Sequence, residues 1–249
     1  MKTTILVLLA AATGCSGAAY ADANSGKSAW TGTIDKGDTV YVRNINGRVR
    51  IVASKGSSVV VRADASGGAK VEVVPHAGGV TICGVPKAKS YTCDKDGQLD
   101  VNGSTNGNSK INLEVAVPKG AVLDVSTVNG GVKIESVGRT SRAVTVNGDL
   151  DIATTGPVEG QTVNGSIDVQ IAKLARKGEI DLQTVNGSIH LDLPSKVNAD
   201  VRAKLVHGKI RTTRKLADSR QRRRKLSGRL GKGGRRVSLR TVNGSIDLD

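Results

Sequence analysis

Between residues 211 and 236 the chain carries 12 Lys and Arg against one acid, its densest concentration of chemistry. Arg220, Arg222, Arg223, Arg224 and Lys225 lie at the centre of this segment. A guanidinium presents a rigid fork of N–H donors that matches phosphate and carboxylate, so such a run suits a polyanion. The fitting partners are an anionic lipid head group, lipopolysaccharide or an acidic glycan. The segment holds +11 of a formal net charge of +15, leaving +4 elsewhere, so a local block and not a basic domain needs explaining. Specific reading of nucleic acid is not expected, because no aromatic side chain near the run offers a base a stacking platform. Two plainer readings stand beside the polyanion one: a solvated loop with no partner, and a processing site for a protease.

Cysteine is the second candidate chemistry. Cys83 and Cys93 lie ten residues apart. In an oxidising compartment they would close a short loop; otherwise they are two free thiols. No other Cys or His pair has metal-ligand spacing, so neither metal nor cofactor is expected. Cys15 closes Ala12-Thr13-Gly14-Cys15, which resembles a bacterial lipobox and makes Cys15 a lipidation candidate. The competing reading is an ordinary export signal over 1–21, with Lys2, an apolar core from Ile5 to Ala12, and a small-x-small site at Ala19-Tyr20-Ala21. Either way the chain leaves a bacterial cytoplasm, for the periplasm or the cell surface. The apolar stretch is short for a membrane span, and no transmembrane segment is expected in the mature chain.

The elements that must position these groups come from one repeated phrase. Thr127-Val128-Asn129-Gly130 recurs at Thr145, Thr162, Thr184 and Thr241, with looser copies at Asn44-Ile45-Asn46-Gly47, Leu205-Val206-His207-Gly208 and Lys225-Leu226-Ser227-Gly228. A phrase returning about every 20 residues signals a repeat architecture. After it, Val163, Gly165, Ile167 and Val169 alternate; before it, Ile180, Leu182 and Thr184 alternate in the opposite phase ahead of Val185. A one-residue slip flips a strand's faces, so a corner or bulge between Thr and Val is expected to return both runs to one interior. A two-residue Asn-Gly hairpin would set apolar against polar residues in nearly every copy. The pattern therefore predicts an all-β, parallel β-helix-like solenoid of about 20-residue coils, each stacked on the next. The absence of Phe suits a narrow interior filled by Val, Ile and Leu. Residues 22–32 read as a polar lead-in and 33–249 as the solenoid domain, with the basic loop at 211–236. Within it, 213–225 is expected to be an exposed loop, with a helical turn as an option, and Leu226 is expected to resume the coil.

In-register stacking would also align Lys133, Asp151, Asp168, His190, Arg211 and Asp247 in one outward column, four residues after each Asn position. Two adjacent aspartates could share a cation or serve a glycan-active enzyme. The stronger reading is a solvated face of paired charges, and no catalytic residue is assigned. The Asn itself is expected to build the turn or to form a ladder along the stack.

At these residues the chain resembles the bacterial "putative adhesin" domain family, whose function is unknown. The resemblance rests on the repeated Thr-Val-Asn-Gly-(Ser/Asp)-(Ile/Leu), on Thr81-Ile82-Cys83 with Cys93, and on the closing Gly231-Lys232-Gly233-Gly234 to Ile246, and covers about 33–249. It implies a β-helical body and a non-enzymatic structural or interaction role at a surface or in the periplasm, with an envelope partner that the sequence does not name. The Arg run at 220–225 lies outside that family pattern.

Overall fold

The computed structural model describes residues 19–21, 28–102, 108–135, 140–173 and 178–249. Cys15 and most of the expected signal lie outside them. Among the described residues the chain is all β, arranged as a 12-stranded and a 10-stranded sheet plus a separate two-stranded one. The two large sheets enclose one core of Val, Ile and Leu side chains.

The middle of both sheets is parallel and in register. One strand in each sheet makes a rung, and eight rungs follow in the same order in both. Rung 1 is Gly79–Val85 with Lys110–Val117, and rung 2 is Thr39–Arg43 with Val49–Ala53. Rung 3 is Val122–Ser126 with Val132–Glu135, and rung 4 is Thr140–Val144 with Leu150–Thr154. Rung 5 is Val158–Asn164 with Ile167–Ile171, and rung 6 is Ile180–Asn186 with Ile189–Asp192. Rung 7 is Arg236–Asn243 with Ile246–Leu248, and rung 8 is Ala199–Lys204 with Ile210–Thr212. The parallel partners include Leu150 with Ile167 and Thr162 with Thr184, as a one-phrase-per-rung stack requires.

Two parts of the expected stack need correction. The rungs do not follow chain order at the ends. Rung 7, the C-terminal segment, sits between rungs 6 and 8, both of which precede it in sequence. Rung 2 likewise sits between rung 1 and rung 3. Beyond the ends the strands turn antiparallel: Lys70–His76 and Ser58–Ser66 flank rung 1, and Lys225–Leu230 flanks rung 8. The Lys225-Leu226-Ser227-Gly228 copy is therefore no parallel coil.

The second correction concerns the corner. Thr162 is buried, Val163 and Asn164 are exposed, and Ile167 is buried again. The chain passes from one sheet to the other through Val-Asn-Gly-Ser, so the valine lies on the convex side and not in the interior. Opposite-phase runs do share one interior, but the turn consumes four residues where the alternation suggested a slip of one.

Candidate polyanion surface and the Asn-Gly edge

The Asn-Gly edge shows why the phrase repeats. On rungs 4 to 7 the threonine hydroxyl donates to the glycine carbonyl of the neighbouring rung: Thr145 Oγ1 to Gly130 O at 3.0 Å, Thr162 Oγ1 to Gly148 O at 3.0 Å, Thr184 Oγ1 to Gly165 O at 2.8 Å, Thr241 Oγ1 to Gly187 O at 2.9 Å; the buried Thr127 Oγ1 of rung 3 has no such bond. The asparagines form a one-way ladder. Each Nδ2 donates to the preceding Oδ1, from Asn243 through Asn186, Asn164, Asn147 and Asn129 to Asn46, at 2.8–2.9 Å. Asn46 Nδ2 ends the run on Ser109 O at 3.2 Å. The glycine is required by proximity: a Cβ on Gly165 would stand 1.9 Å from Gly148 O, and one on Gly187 equally close to Gly165 O. No asparagine of the ladder has left-handed backbone, although Gly47, Gly208 and Gly244 of the edge have positive φ; Asp218 is the one non-glycine residue with positive φ among the described residues.

The basic segment is not the expected loop. Ala217–Arg222 and Lys225–Leu230 pair antiparallel across a two-residue turn at Arg223 and Arg224, and the hairpin closes the larger sheet. Leu226 and Leu230 are buried and pair with Ala203 and Ala199 of rung 8, which anchors the hairpin to the core. Ala217–Arg222 is exposed at every residue. An edge strand open on both faces needs no apolar alternation, and this is why the sequence suggested a loop. Its charge also discourages further strands from adding to the sheet.

Register places cations from four strands side by side. Arg240 neighbours Lys204, Lys204 neighbours Lys225, and Lys225 neighbours Arg222. A second row holds Arg202, Ser227 and Arg220. Arg240 is held by Asp181 at 2.8 Å, and Arg229 by Asp218. Arg202, Lys204, Arg220, Arg222, Arg223, Arg224 and Lys225 are exposed, with no acidic partner among the described residues. The candidates of the run thus stand together, and strand pairing adds Arg202 and Lys204, which sequence reasoning missed. The available signal was phrase alignment. Lys204 and Arg240 occupy the position before Leu205 and Thr241 where earlier copies carry Gln161 and Gln183.

The outward column forms as its spacing implies, with Asp151 beside Asp168, Asp168 beside His190, and Asp247 between His190 and Arg211. Four of its six members pair within it: Lys133 Nζ meets Asp151 Oδ2 at 2.6 Å, and Arg211 meets Asp247 at 3.2 Å, while the buried Asp168 Oδ1 accepts no hydrogen bond. The Asp151 hydrogen bond holds the Lys133 ammonium above its ordinary pKa. Among the described residues no three His, Cys, Asp or Glu side chains converge as a metal site. Cys83, buried on rung 1, is disulfide-bonded to Cys93 on the short strand Ser90–Cys93. No helix among the described residues is long and apolar enough to cross a membrane.

Residues 99–249 match the family described as Toastrack DUF4097. A comparison with curated proteins finds no match. Among solved structures, a "putative cell adhesion protein" from Clostridium sporogenes aligns over 89% of this chain and 98% of its own, at 10% identity and a TM-score of 0.50. At that identity the likeness is one of fold. A "putative adhesin" from Bacteroides fragilis aligns over 91% and 98%, at 8% identity and a TM-score of 0.33. A "putative lipid binding protein" from Parabacteroides distasonis aligns over 91% and 98%, at 11% identity and a TM-score of 0.28.

Proposed function

Because the chain belongs to the Toastrack DUF4097 family, we propose that it is an exported, non-enzymatic interaction module of a bacterial envelope. Its body is a β-solenoid over 33–249, and its contact surface for a polyanion is the basic hairpin with the neighbouring face of rung 8. The observation that carries this reading is the row Lys204, Lys225 and Arg222, in register and without acidic partners, with Arg223 and Arg224 at the adjoining turn. Like charges placed side by side cost free energy unless a counter-charge arrives, and a phosphate- or carboxylate-rich ligand supplies it. Export is supported by Lys2, the apolar core and the two candidate cleavage sites, with Cys15 the lipid-bearing residue if the lipobox is used. The non-enzymatic assignment is supported by the paired charges of the outward column.

The test is Arg222→Ser, Arg223→Ser and Arg224→Ser in one chain. All three side chains are exposed, so stability should change by less than about 0.5 kcal/mol. Binding to heparin, as a soluble polyanion, and to lipopolysaccharide should weaken, and the part lost should be the salt-sensitive part. A triple variant that binds both as well as the parent at low and high salt overturns the proposal.

A further inference from the structure

Three residues of the Thr-Val-Asn-Gly phrase have partners within the stack: the hydroxyl bond, the amide ladder and the glycine contact. The valine joins the stack only through its backbone, and its side chain stands outward. Val128, Val146, Val163, Val185, Val242 and Val206 are each 38–42% exposed, and no other large apolar side chains among the described residues are exposed. They occupy equivalent positions on rungs 3 to 8, so they form one continuous ridge. At the usual strand spacing, six rungs give a ridge about 24 Å long. A solvated corner has no need of an apolar residue here, and exposed apolar side chains on soluble proteins are normally scattered singly.

The ridge leads into the cationic surface. The Leu205 amide, next to Val206, donates to Arg224 O at 3.1 Å, so the Arg223–Arg224 turn continues the line of the ridge beyond rung 8. Two residues before each valine runs a parallel row, Ser126, Val144, Gln161 and Gln183, which becomes Arg240, held by Asp181, and then Lys204, continued across the hairpin by Lys225 and Arg222. An apolar strip merging into unpaired arginines and lysines matches one occupant on both counts: a bilayer surface with anionic head groups. A soluble glycan would satisfy the cations and leave the valines in water.

We infer that this edge of the stack is a membrane-contact surface. The valine ridge rests against the acyl boundary of an anionic lipid face. Arg222, Arg223, Arg224, Lys204 and Lys225 sit among its phosphates. The inference rests on the cationic reading above and narrows its ligand from polyanions in general to a lipid surface.

The experiment compares the parent chain, a ridge variant and the arginine triple variant. The ridge variant is Val146→Thr, Val163→Thr, Val185→Thr and Val242→Thr, which keeps β-branched shape on exposed sites and changes only polarity. Co-sedimentation is measured with vesicles of phosphatidylglycerol and phosphatidylcholine, with vesicles of phosphatidylcholine alone, and binding is measured on heparin. The parent should bind the anionic vesicles and not the neutral ones. The ridge variant should bind the anionic vesicles about tenfold more weakly and heparin unchanged. The arginine variant should lose about a hundredfold on anionic vesicles and should also weaken on heparin. A ridge variant that binds vesicles like the parent, or that loses heparin in equal measure, overturns the membrane-contact inference alone. An arginine variant that binds both like the parent overturns the cationic reading as well. Should the fourfold change unfold the chain by circular dichroism, Val163→Thr with Val185→Thr carries the same comparison with a smaller expected loss.

Discussion

Gly165→Ala tests whether proximity, and not turn conformation, fixes the glycine of the phrase. The backbone of Gly165 is not left-handed, so alanine meets no conformational penalty there. What it meets is the neighbouring rung: the new Cβ would lie 1.9 Å from Gly148 O and 2.5 Å from Gly148 C, both backbone atoms that no rotamer can move. Ordinary contact begins at 3.4 Å, so rungs 4 and 5 must part by the difference, 1.5 Å, at the corner. The four hydrogen bonds nearest the glycine on its N-terminal side are Gly148 N to Asn164 O at 2.9 Å, Asn164 N to Val146 O at 2.8 Å, Thr162 Oγ1 to Gly148 O at 3.0 Å and Asn164 Nδ2 to Asn147 Oδ1 at 2.8 Å. An added 1.5 Å takes each beyond bonding distance. At about 1 kcal/mol net apiece the loss approaches 4 kcal/mol. Alanine returns about 0.4–1 kcal/mol by restricting the unfolded chain, which leaves about 3 kcal/mol. Gly56→Ala is the control, since Gly56 has φ +67° and open space around its Cβ; it should cost only the left-handed backbone, about 1–2 kcal/mol, less the same unfolded-chain return. Urea unfolding with an unchanged m-value measures both. If Gly165→Ala costs no more than Gly56→Ala, rung contact does not explain the repeat.

Asn164→Asp should cost about 2–3 kcal/mol at neutral pH, because it removes the donor to Asn147 Oδ1 and sets a carboxylate against that oxygen. The introduced carboxyl recovers the donor when protonated, so folding raises its pKa. Its favourable contribution is therefore complete below the unfolded value of about 3.9 and lost as pH rises through the folded value. Denaturant midpoints of variant and parent should converge between pH 7 and pH 4, and a constant gap would refute the ladder argument. Cys83→Ala with Cys93→Ala opens the loop of ten-residue separation, which by chain entropy should cost about 2–3 kcal/mol. A midpoint within error of the parent would show that the strand Ser90–Cys93 is held without the bond.

Parallel, in-register stacking was legible in the sequence because identical residues on successive rungs make identical bonds, and Asn, Gly and Thr each leave a mark at fixed spacing. The outward column from Lys133 to Arg211 was legible for the same reason. The outward valine was not. Alternation assigns faces correctly only while a strand continues, and a four-residue corner breaks the count between Thr162 and Ile167. The basic hairpin was hidden for a different reason. Ala217–Arg222 touches the core through neither face, so its sequence carries no periodic signal, and the partner strand shows only Leu226 and Leu230. Arg202 and Lys204 entered the surface through pairing across rung 8, a relation between segments that neither segment contains.

The order of the rungs was the least legible feature, since a repeated phrase carries no address. Its physical basis lies in the ladder. An asparagine inside the ladder donates to one neighbour and accepts from the other; at an end it has one asparagine partner. Rungs 2 to 7 all carry Asn at the ladder position, from Asn46 to Asn243. The outermost rungs do not: rung 8 carries His207 there, with Leu205 in place of the threonine, and rung 1 offers the backbone carbonyl of Ser109. His207 still joins the backbone bonding through its own N–H to Val242 O and its carbonyl from Gly244 N, so it can cover rung 7 without extending the ladder. In chain order, rung 8 would have been inserted between rungs 6 and 7, and His207 would have cut the amide chain between Asn186 and Asn243. The C-terminal segment therefore returns to the slot beside rung 6, where Asn243 Nδ2 reaches Asn186 Oδ1 at 2.8 Å. Position in the stack follows the capacity to continue the ladder. The rungs that lack it become the ends, and there the sheets give way to antiparallel strands, one of them the partner of the basic edge.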